Sequence, residues 1–175
     1  MANILIIYST TDGHTLTICR RLQRLVEHDG HHVDVIPVSD TIFVELNDFD
    51  KIVIGASIRY GKHSQQIVDF IRKHQTVLDN KPNAFFSVNV VARKPEKNQP
   101  ETNPYLQKFL KKISWKPKVL AVFAGKIDYP RYNLFDRFMI RFIMLITHGP
   151  TDPNATIEFT DWQQVELFAK RISSM

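Results

Sequence analysis

Three runs in this chain are apolar almost without a break and too short for ordinary helices: Ile4-Leu5-Ile6-Ile7-Tyr8, Lys51-Ile52-Val53-Ile54-Gly55-Ala56 and Val119-Leu120-Ala121-Val122-Phe123-Ala124. A strand with one wet face alternates apolar and polar residues, so unbroken runs of this length read as strands covered on both faces. Two more strands read less cleanly. Val33 to Val38 alternates and meets Pro37, which puts it toward a sheet edge, and Asn83 to Asn89 carries Ala84, Phe85, Phe86 and Val88 between polar ends. Apolar residues at helical spacing fall between the runs: Ile18, Leu22, Leu25 and Val26, closed by Gly30; Ile67, Val68, Phe70, Ile71 and Val77; a stretch from Tyr105 to Ile113. A last helix opens on Asp161 as its cap and carries Trp162, Val165, Phe168 and Ile172. Strand and helix in alternation predict a doubly wound, five-stranded parallel α/β sheet with helices on both faces.

Such sheets bind ligands beyond the carboxyl ends of their strands. Three loops leave those ends. The first, Ser9-Thr10-Thr11-Asp12-Gly13-His14-Thr15, follows the first strand and opens a helix. Its backbone N–H groups and hydroxyls can converge on an anion, favoured by the helix's positive end. No G-x-x-x-x-G-K-[ST] or G-x-G-x-x-G pattern occurs, which argues against a nucleoside triphosphate or a dinucleotide. A hydroxyl-rich loop without a lysine suits a phosphate monoester such as that of FMN; taken alone, a capped strand-to-helix turn explains it equally well. The second, Ser57-Ile58-Arg59-Tyr60-Gly61, offers Tyr60 to lie against a planar ring and Arg59 to meet an anionic group. The third, Ser87-Val88-Asn89-Val90-Val91-Ala92-Arg93-Lys94-Pro95-Glu96-Lys97, begins with groups that can hydrogen-bond the edge of such a ring and ends basic.

The 175 residues are expected to form one domain with a sizeable core. Cys19 is the only cysteine, so no disulfide and no cysteine-based metal site forms within the chain, and a reducing compartment fits. His28, His31 and His32 lack ligand spacing and read as surface residues, so no metal is expected. No signal peptide is expected, nor a membrane span, which would take ~18 or more uncharged apolar residues. Charge is uneven. Between Val91 and Lys118, eight Lys and Arg face only Glu96 and Glu101, which exceeds the formal +5 of the whole chain. A basic sector of this kind meets an acidic ligand or an anionic membrane, or is a solvated lysine-rich face. A nucleic-acid partner is not expected, because aromatics are not interleaved with the basic residues as a stacking platform requires.

Residues 126–150 do not belong to a minimal five-strand unit. They split the last strand, which is expected to resume at Ala155-Thr156-Ile157-Glu158-Phe159. Ten of the thirteen residues Leu134 to Ile146 are apolar, and Asn133, Arg137, Arg141 and His148 form a narrow polar stripe. This helix is too short to span a bilayer. Four uses are open to it: lying in a membrane interface, capping an apolar substrate, pairing with another subunit in a homo-oligomer, or packing on its own domain.

The first loop and the order of elements resemble flavodoxins. More specifically, Ile54 to Gly61, Ser87 to Lys97, Tyr129-Pro130-Arg131-Tyr132 and Asp136-Arg137-Phe138-Met139-Ile140 closely resemble the quinone-dependent protoporphyrinogen IX dehydrogenases of Gram-negative bacteria. The resemblance covers essentially the whole chain, Thr160-Asp161-Trp162 included; His14 departs from it at a variable loop position. It implies a flavodoxin-like fold and an FMN enzyme of haem synthesis. That enzyme takes six electrons from protoporphyrinogen IX in three steps and passes them to a membrane quinone, menaquinone or ubiquinone. It further implies FMN contacts from Ser9 to Thr15, near Ser57, Ile58, Arg59, Tyr60 and Gly61, and from Ser87, Val88, Asn89, Val90, Val91, Ala92 and Arg93. A peripheral place on the cytoplasmic face of the inner membrane goes with it. Substrate propionates or lipid would then meet Arg93, Lys94, Arg131, Arg137 and Arg141. The resemblance assigns no catalytic acid or base. A flavodoxin-type electron carrier and an NAD(P)H–quinone reductase are the competing readings; the sequence pI near 9.4 sits poorly with the first, whose members are usually acidic.

Overall fold

The computed structural model describes residues 1–175. Five strands form a parallel sheet: β1 (Asn3–Ser9), β2 (His32–Pro37), β3 (Lys51–Arg59), β5 (Asn83–Val88) and β6 (Val119–Phe123). Their order is β2-β1-β3-β5-β6, while the short β4 (Lys62–His63) folds back antiparallel on the end of β3. The order reverses between β1 and β3, so the crevice at the switch point opens between the first two rim loops. β2 stands at one edge, as Pro37 suggests.

Alternation along each strand fills two cores. Ile4 and Ile6 of β1 point to one face, with α1 (His14–His28) and α5 (Trp162–Ser174). Leu5 and Ile7 point to the other, with α2 (Gln65–Asn80) and α3 (Pro104–Lys112). The cores are well interlocked: a Cβ on Gly55 of β3 would lie 2.1 Å from the Phe86 ring of β5, so only glycine lets that ring cross the strand. Asp161 caps α5 by accepting from the N–H groups of Gln163 and Gln164, as its position before the apolar run suggests.

Two features differ from the sequence reading. Strand and helix do not alternate everywhere: β2 reaches β3 through 3₁₀ turns at Val38–Phe43 and Leu46–Asp48. Ser39, Asp40, Thr41, Asn47 and Asp48 favour local side-chain bonds over a helix, and Thr41 and Glu45 make such bonds here. Nor is the fifth strand split. β6 is complete at Phe123, and Ala124-Gly125 turn the chain into β7 (Lys126–Asp128). β8 (Thr156–Glu158) pairs antiparallel with β7 and does not return to the main sheet, because β7 gives it the nearer partner. Between them lies α4 (Leu134–Ile146), whose small core of Ile127, Tyr129, Tyr132 and Met144 is separate from the other two.

Candidate functional site

The loop after β1 is built to receive something. Gly13 takes φ +87°, a left-handed conformation that glycine adopts without strain, and heads α1 with no side-chain cap. The first N–H groups of α1 therefore have no partner within the helix. Thr10 Oγ1 accepts from the Gly13 N–H at 2.9 Å and fixes the loop's shape. Two other hydroxyls, Ser9 Oγ and Thr15 Oγ1, are buried with no hydrogen-bond partner. Leaving a buried hydroxyl unpaired costs about 1–3 kcal/mol. An anion accepting from both, at a helix N-terminus, removes that cost, so these residues fit a phosphate.

Asp12 would oppose such a charge, but Arg59 reaches across from β3 to its carboxylate at 2.8 Å. His14 reaches Thr160 instead. Thr160 Oγ1 gives its proton to the Ala124 carbonyl at 2.8 Å, so His14 Nε2 is the donor in the 2.6 Å contact with Thr160. Burial depresses the His14 pKa, Glu158 raises it and Lys126 lowers it again. The imidazole ties the loop to the start of α5, and His14 is also among the residues that line the cleft.

The second rim loop is the turn between β3 and β4. Tyr60 and Gly61 both have positive φ, at 50° and 75°, as a tight hairpin requires. The aromatic ring stays half in solvent, with the Arg59 guanidinium 5.8 Å from its centre and 5.6 Å from that of Tyr132.

The third loop is held by a buried polar chain. Asn89 accepts at Oδ1 from the Ala92 N–H and from Asn103 Nδ2, and donates from Nδ2 to Asn103 Oδ1 and Ser87 Oγ. Its amide is therefore fully committed to shaping the turn at Val90–Arg93, and the loop presents backbone rather than Asn89's side chain to a ligand. Ser87 Oγ also lies 2.8 Å from His63 Nε2. His63 packs 4.6 Å from the Phe109 ring centre, and burial takes its pKa down to about 4. His63 and Asn103 were not singled out from sequence. Asn103-Pro104 is legible as a helix start, and Asn103 does cap Leu106, but its contact with Asn89 is long-range.

A cleft of about 150 Å³ joins the three loops, from Thr10–Thr15 past Ser57–Gly61 to Val88–Val91. Its far wall is Gly125–Asp128 and Tyr132 with Ile140, Ile143 and Met144 of α4. A wider polar groove of about 440 Å³ lies beyond Ser57 and Arg59, lined by Pro37–Ser39 and Lys62–Ser64.

The basic residues divide. Arg93 donates to the Val90 carbonyl and, at the end of α4, to the Thr147 carbonyl at 3.2 Å; its guanidinium lies 6.0 Å from the Phe159 ring centre. It fastens α4 to the third loop. Arg137 Nε donates to the Tyr129 carbonyl and Arg141 Nε to the Thr151 carbonyl. Arg131 is exposed and Lys94 half-buried, neither in an ion pair. No three His, Cys, Asp or Glu side chains come together as a metal site.

The cleft's other neighbour is apolar. Outward from the wall, α4 exposes Leu134, Phe135, Phe138, Phe142, Leu145 and Ile146, Leu134 at 83% and Phe138 at 68%. No helix is long and apolar enough to cross a membrane.

Known proteins share both the fold and the sequence. An archaeal flavodoxin superposes with a TM-score of 0.55 at 16% identity, covering 98% of this chain and 96% of that one. Flavodoxin 1 from Bacillus cereus gives 0.57 at 14% identity, covering 98% and 97%. These likenesses speak for the fold. The profile of the Flavodoxin domain family matches residues 5–154. A Leishmania major protein named protoporphyrinogen IX dehydrogenase [quinone] is 45% identical over 172 residues, 98% of this chain and 74% of its own length. The protein of the same name from Escherichia coli K12 is 44% identical over 171 residues, 98% of this chain and 94% of its own. The orphaned hydroxyls at a helix N-terminus, the flavodoxin sheet and near-full-length identity converge: the chain belongs to the flavodoxin-domain family of flavin oxidoreductases that includes the protoporphyrinogen IX dehydrogenases.

Proposed function

We propose that this chain oxidises protoporphyrinogen IX to protoporphyrin IX on bound FMN and passes the electrons to a membrane quinone, menaquinone in the first instance. The observation that carries the reading is the double role of α4. Its inner residues Ile140, Ile143 and Met144 wall the flavin cleft, while its outer face holds large apolar side chains in solvent. A carrier that meets soluble partners has no use for that face; an enzyme whose acceptor is dissolved in lipid does.

Ser9, Thr15 and the α1 N-terminus would hold the FMN phosphate, and the Val88–Val91 backbone and Tyr60 would border its ring. FMN supplies a two-electron acceptor, used three times per substrate molecule. The residues of the cleft bind and orient. Apolar α4 suits the tetrapyrrole or the quinone, and Arg131 and Lys94 are the cations free to meet propionates or lipid phosphates. The protein works as one domain, residues 1–175, with 126–150 as the part that sits peripherally on the cytoplasmic face of the inner membrane. Each large apolar side chain moved fully out of water contributes about 1.5–3 kcal/mol, so a few of the six on α4 suffice for reversible attachment.

Anaerobic reduction of the FMN-loaded protein tests the chemistry. Rapid bleaching of the flavin by protoporphyrinogen IX and not by NADPH is expected; the reverse makes it an NAD(P)H–quinone reductase. Removing residues 129–148 tests the membrane role. FMN binding should persist while vesicle association and quinone turnover fall; unchanged turnover and association would sink it.

A further inference from the structure

We infer that Tyr60 and Asp136 form the route by which the oxidation sheds its proton, an inference that rests on the porphyrinogen reading above. Each two-electron step on such a substrate breaks a C–H bond at a bridging carbon and sheds one proton besides, from a pyrrole N–H in two of the three steps and from a further bridging C–H in the other. The first C–H hydrogen leaves with the bonding pair to the flavin, the acceptor named above. The electrons of the second bond stay in the ring as new π bonding, and that proton needs a base within hydrogen-bond reach.

The cleft and its rim offer three carboxylates. Asp12 is committed to Arg59, at 2.8 Å. Asp128 lies 3.7 Å from Lys126 Nζ and also accepts from Thr156. Asp136, half-buried on the first turn of α4, has no cation within 4 Å. The Tyr60 hydroxyl donates to its Oδ1, and its other oxygen makes no bond. The imidazoles are not available: His14 donates to Thr160, and His63 is bonded to Ser87 behind the third loop.

Tyr60 is the member of the pair that borders the cleft. Its ring stands edge-on to Phe135 of α4, centres 6.4 Å apart, on the opposite element from Arg59. A tyrosine at φ 50° is a costly residue for a hairpin turn that would take Asn-Gly without strain. Here the strained backbone aims the hydroxyl at α4. The shed proton passes to the Tyr60 oxygen as Tyr60's own proton passes to Asp136, and Asp136 releases it to water. Per step the substrate loses two electrons and two hydrogens, one with the electron pair and one as a proton. Asn133 accepts from the Asp136 N–H at 2.8 Å, so the cap of α4 also sets where the carboxylate sits. Tyr60 is then a catalytic residue, and Asp136 acts through it.

Stopped-flow anaerobic reduction of the FMN-loaded protein by protoporphyrinogen IX is the test, with FMN affinity measured separately by fluorescence titration. D136N should slow flavin reduction by about 100-fold or more, and Y60F by a similar factor. D136E should stay within about tenfold of the wild type, and added formate should speed D136A in proportion to its concentration. FMN affinity should change less than about twofold in the Asp136 variants. D136N as fast as the wild type overturns the inference. So does a loss of rate that tracks FMN affinity with no rescue by formate, which would make Asp136 a fold support. A wild-type protein that protoporphyrinogen does not reduce sinks the substrate reading and this inference together.

Discussion

Helices α4 and α5 are each thirteen residues long, and each is capped at its start by an Asn or Asp side chain. Each is also held at its end by a cation from elsewhere in the chain. Buried Lys51 donates to the Ile172 and Ser173 carbonyls in the last turn of α5, and Arg93 donates to the Thr147 carbonyl just after α4. Yet they bury opposite amounts. α5 presses Val165, Phe168, Ala169 and Ile172 against the sheet, whereas α4 fully buries only Met144 and turns its arginines back onto backbone carbonyls of its own segment. The difference separates two uses of apolar residues. Those of α5 are committed when the chain folds; those of α4 remain uncommitted in the folded protein, beside the cleft. The same division runs through the polar groups of the site. Asn89, Ser87 and His63 have their partners, while Ser9 and Thr15 have none. Committed groups hold the fold, and uncommitted ones are held ready for what binds it.

The largest expected effect tests the committed side. Phe168→Ala should cost about 3–5 kcal/mol in chemical denaturation, since it removes a fully buried ring packed against Phe86 and Phe123. Phe138→Ala, equal in chemistry but exposed on α4, should stay within about 0.5 kcal/mol of the wild type. Equal losses at the two positions would break the comparison.

His63 makes a related test through pH. Its pKa is about 4 in the folded protein against an ordinary 6.5, because burial disfavours the imidazolium. As pH falls, the unfolded chain therefore takes up the proton first. Stability should decline from about pH 6.5 downward and level off below about pH 4, a total of about 3 kcal/mol from this residue. His14 and His74 are shifted in the same direction, so the contribution is read as the difference between wild type and His63→Gln. Parallel stability curves for the two proteins would show that His63 is not locked neutral in the fold.

On the uncommitted apolar face, replacing Phe138 and Phe142 together by Ser should weaken flotation with anionic vesicles by about 100-fold, at about 1.5 kcal/mol per ring. FMN content and denaturation midpoint should not move. A change in sedimentation behaviour with no change in flotation would assign the face to a second copy of the chain.

These distinctions were legible in the sequence to unequal degrees. The unbroken apolar runs at Ile4, Lys51 and Val119 carried the sheet, because a strand covered on both faces has no polar phase to misread. Pro37 carried the edge position and Asp161 the last helix cap. The ten apolar residues of Leu134–Ile146 marked α4 as a helix needing a partner, but composition is blind to direction, and its arginines could not be seen to bond the Tyr129 and Thr151 carbonyls. What failed rests on pairing between distant residues. β8 pairs with β7 rather than with the main sheet, and neither short segment announces its partner. Tyr60-Gly61 did not read as a hairpin turn, since tyrosine is a poor residue for positive φ. Asn89 suggested a ligand contact by its chemistry, and only the fold shows its amide consumed by Asn103, Ser87 and Ala92.

The smallest effect is the sharpest, because its two readouts move in opposite directions. Thr15→Val removes a buried hydroxyl that has no partner and keeps the side chain's shape. In the absence of cofactor this should leave stability unchanged or raise it by up to about 1 kcal/mol, since the desolvation cost of the unpaired group is gone. With FMN present it should weaken binding by about 10- to 100-fold, the worth of one hydrogen bond to a charged acceptor. Ser9→Ala should behave likewise, with a small added cost for the lost oxygen's packing. His14→Ala, in the same loop but with its imidazole committed to Thr160, should do the reverse and lower stability more than FMN affinity. Fluorescence titration and thermal melts on the three variants decide it. If Thr15→Val destabilises the cofactor-free protein while sparing FMN binding, the hydroxyl serves the fold, and the line drawn between committed and uncommitted groups runs elsewhere.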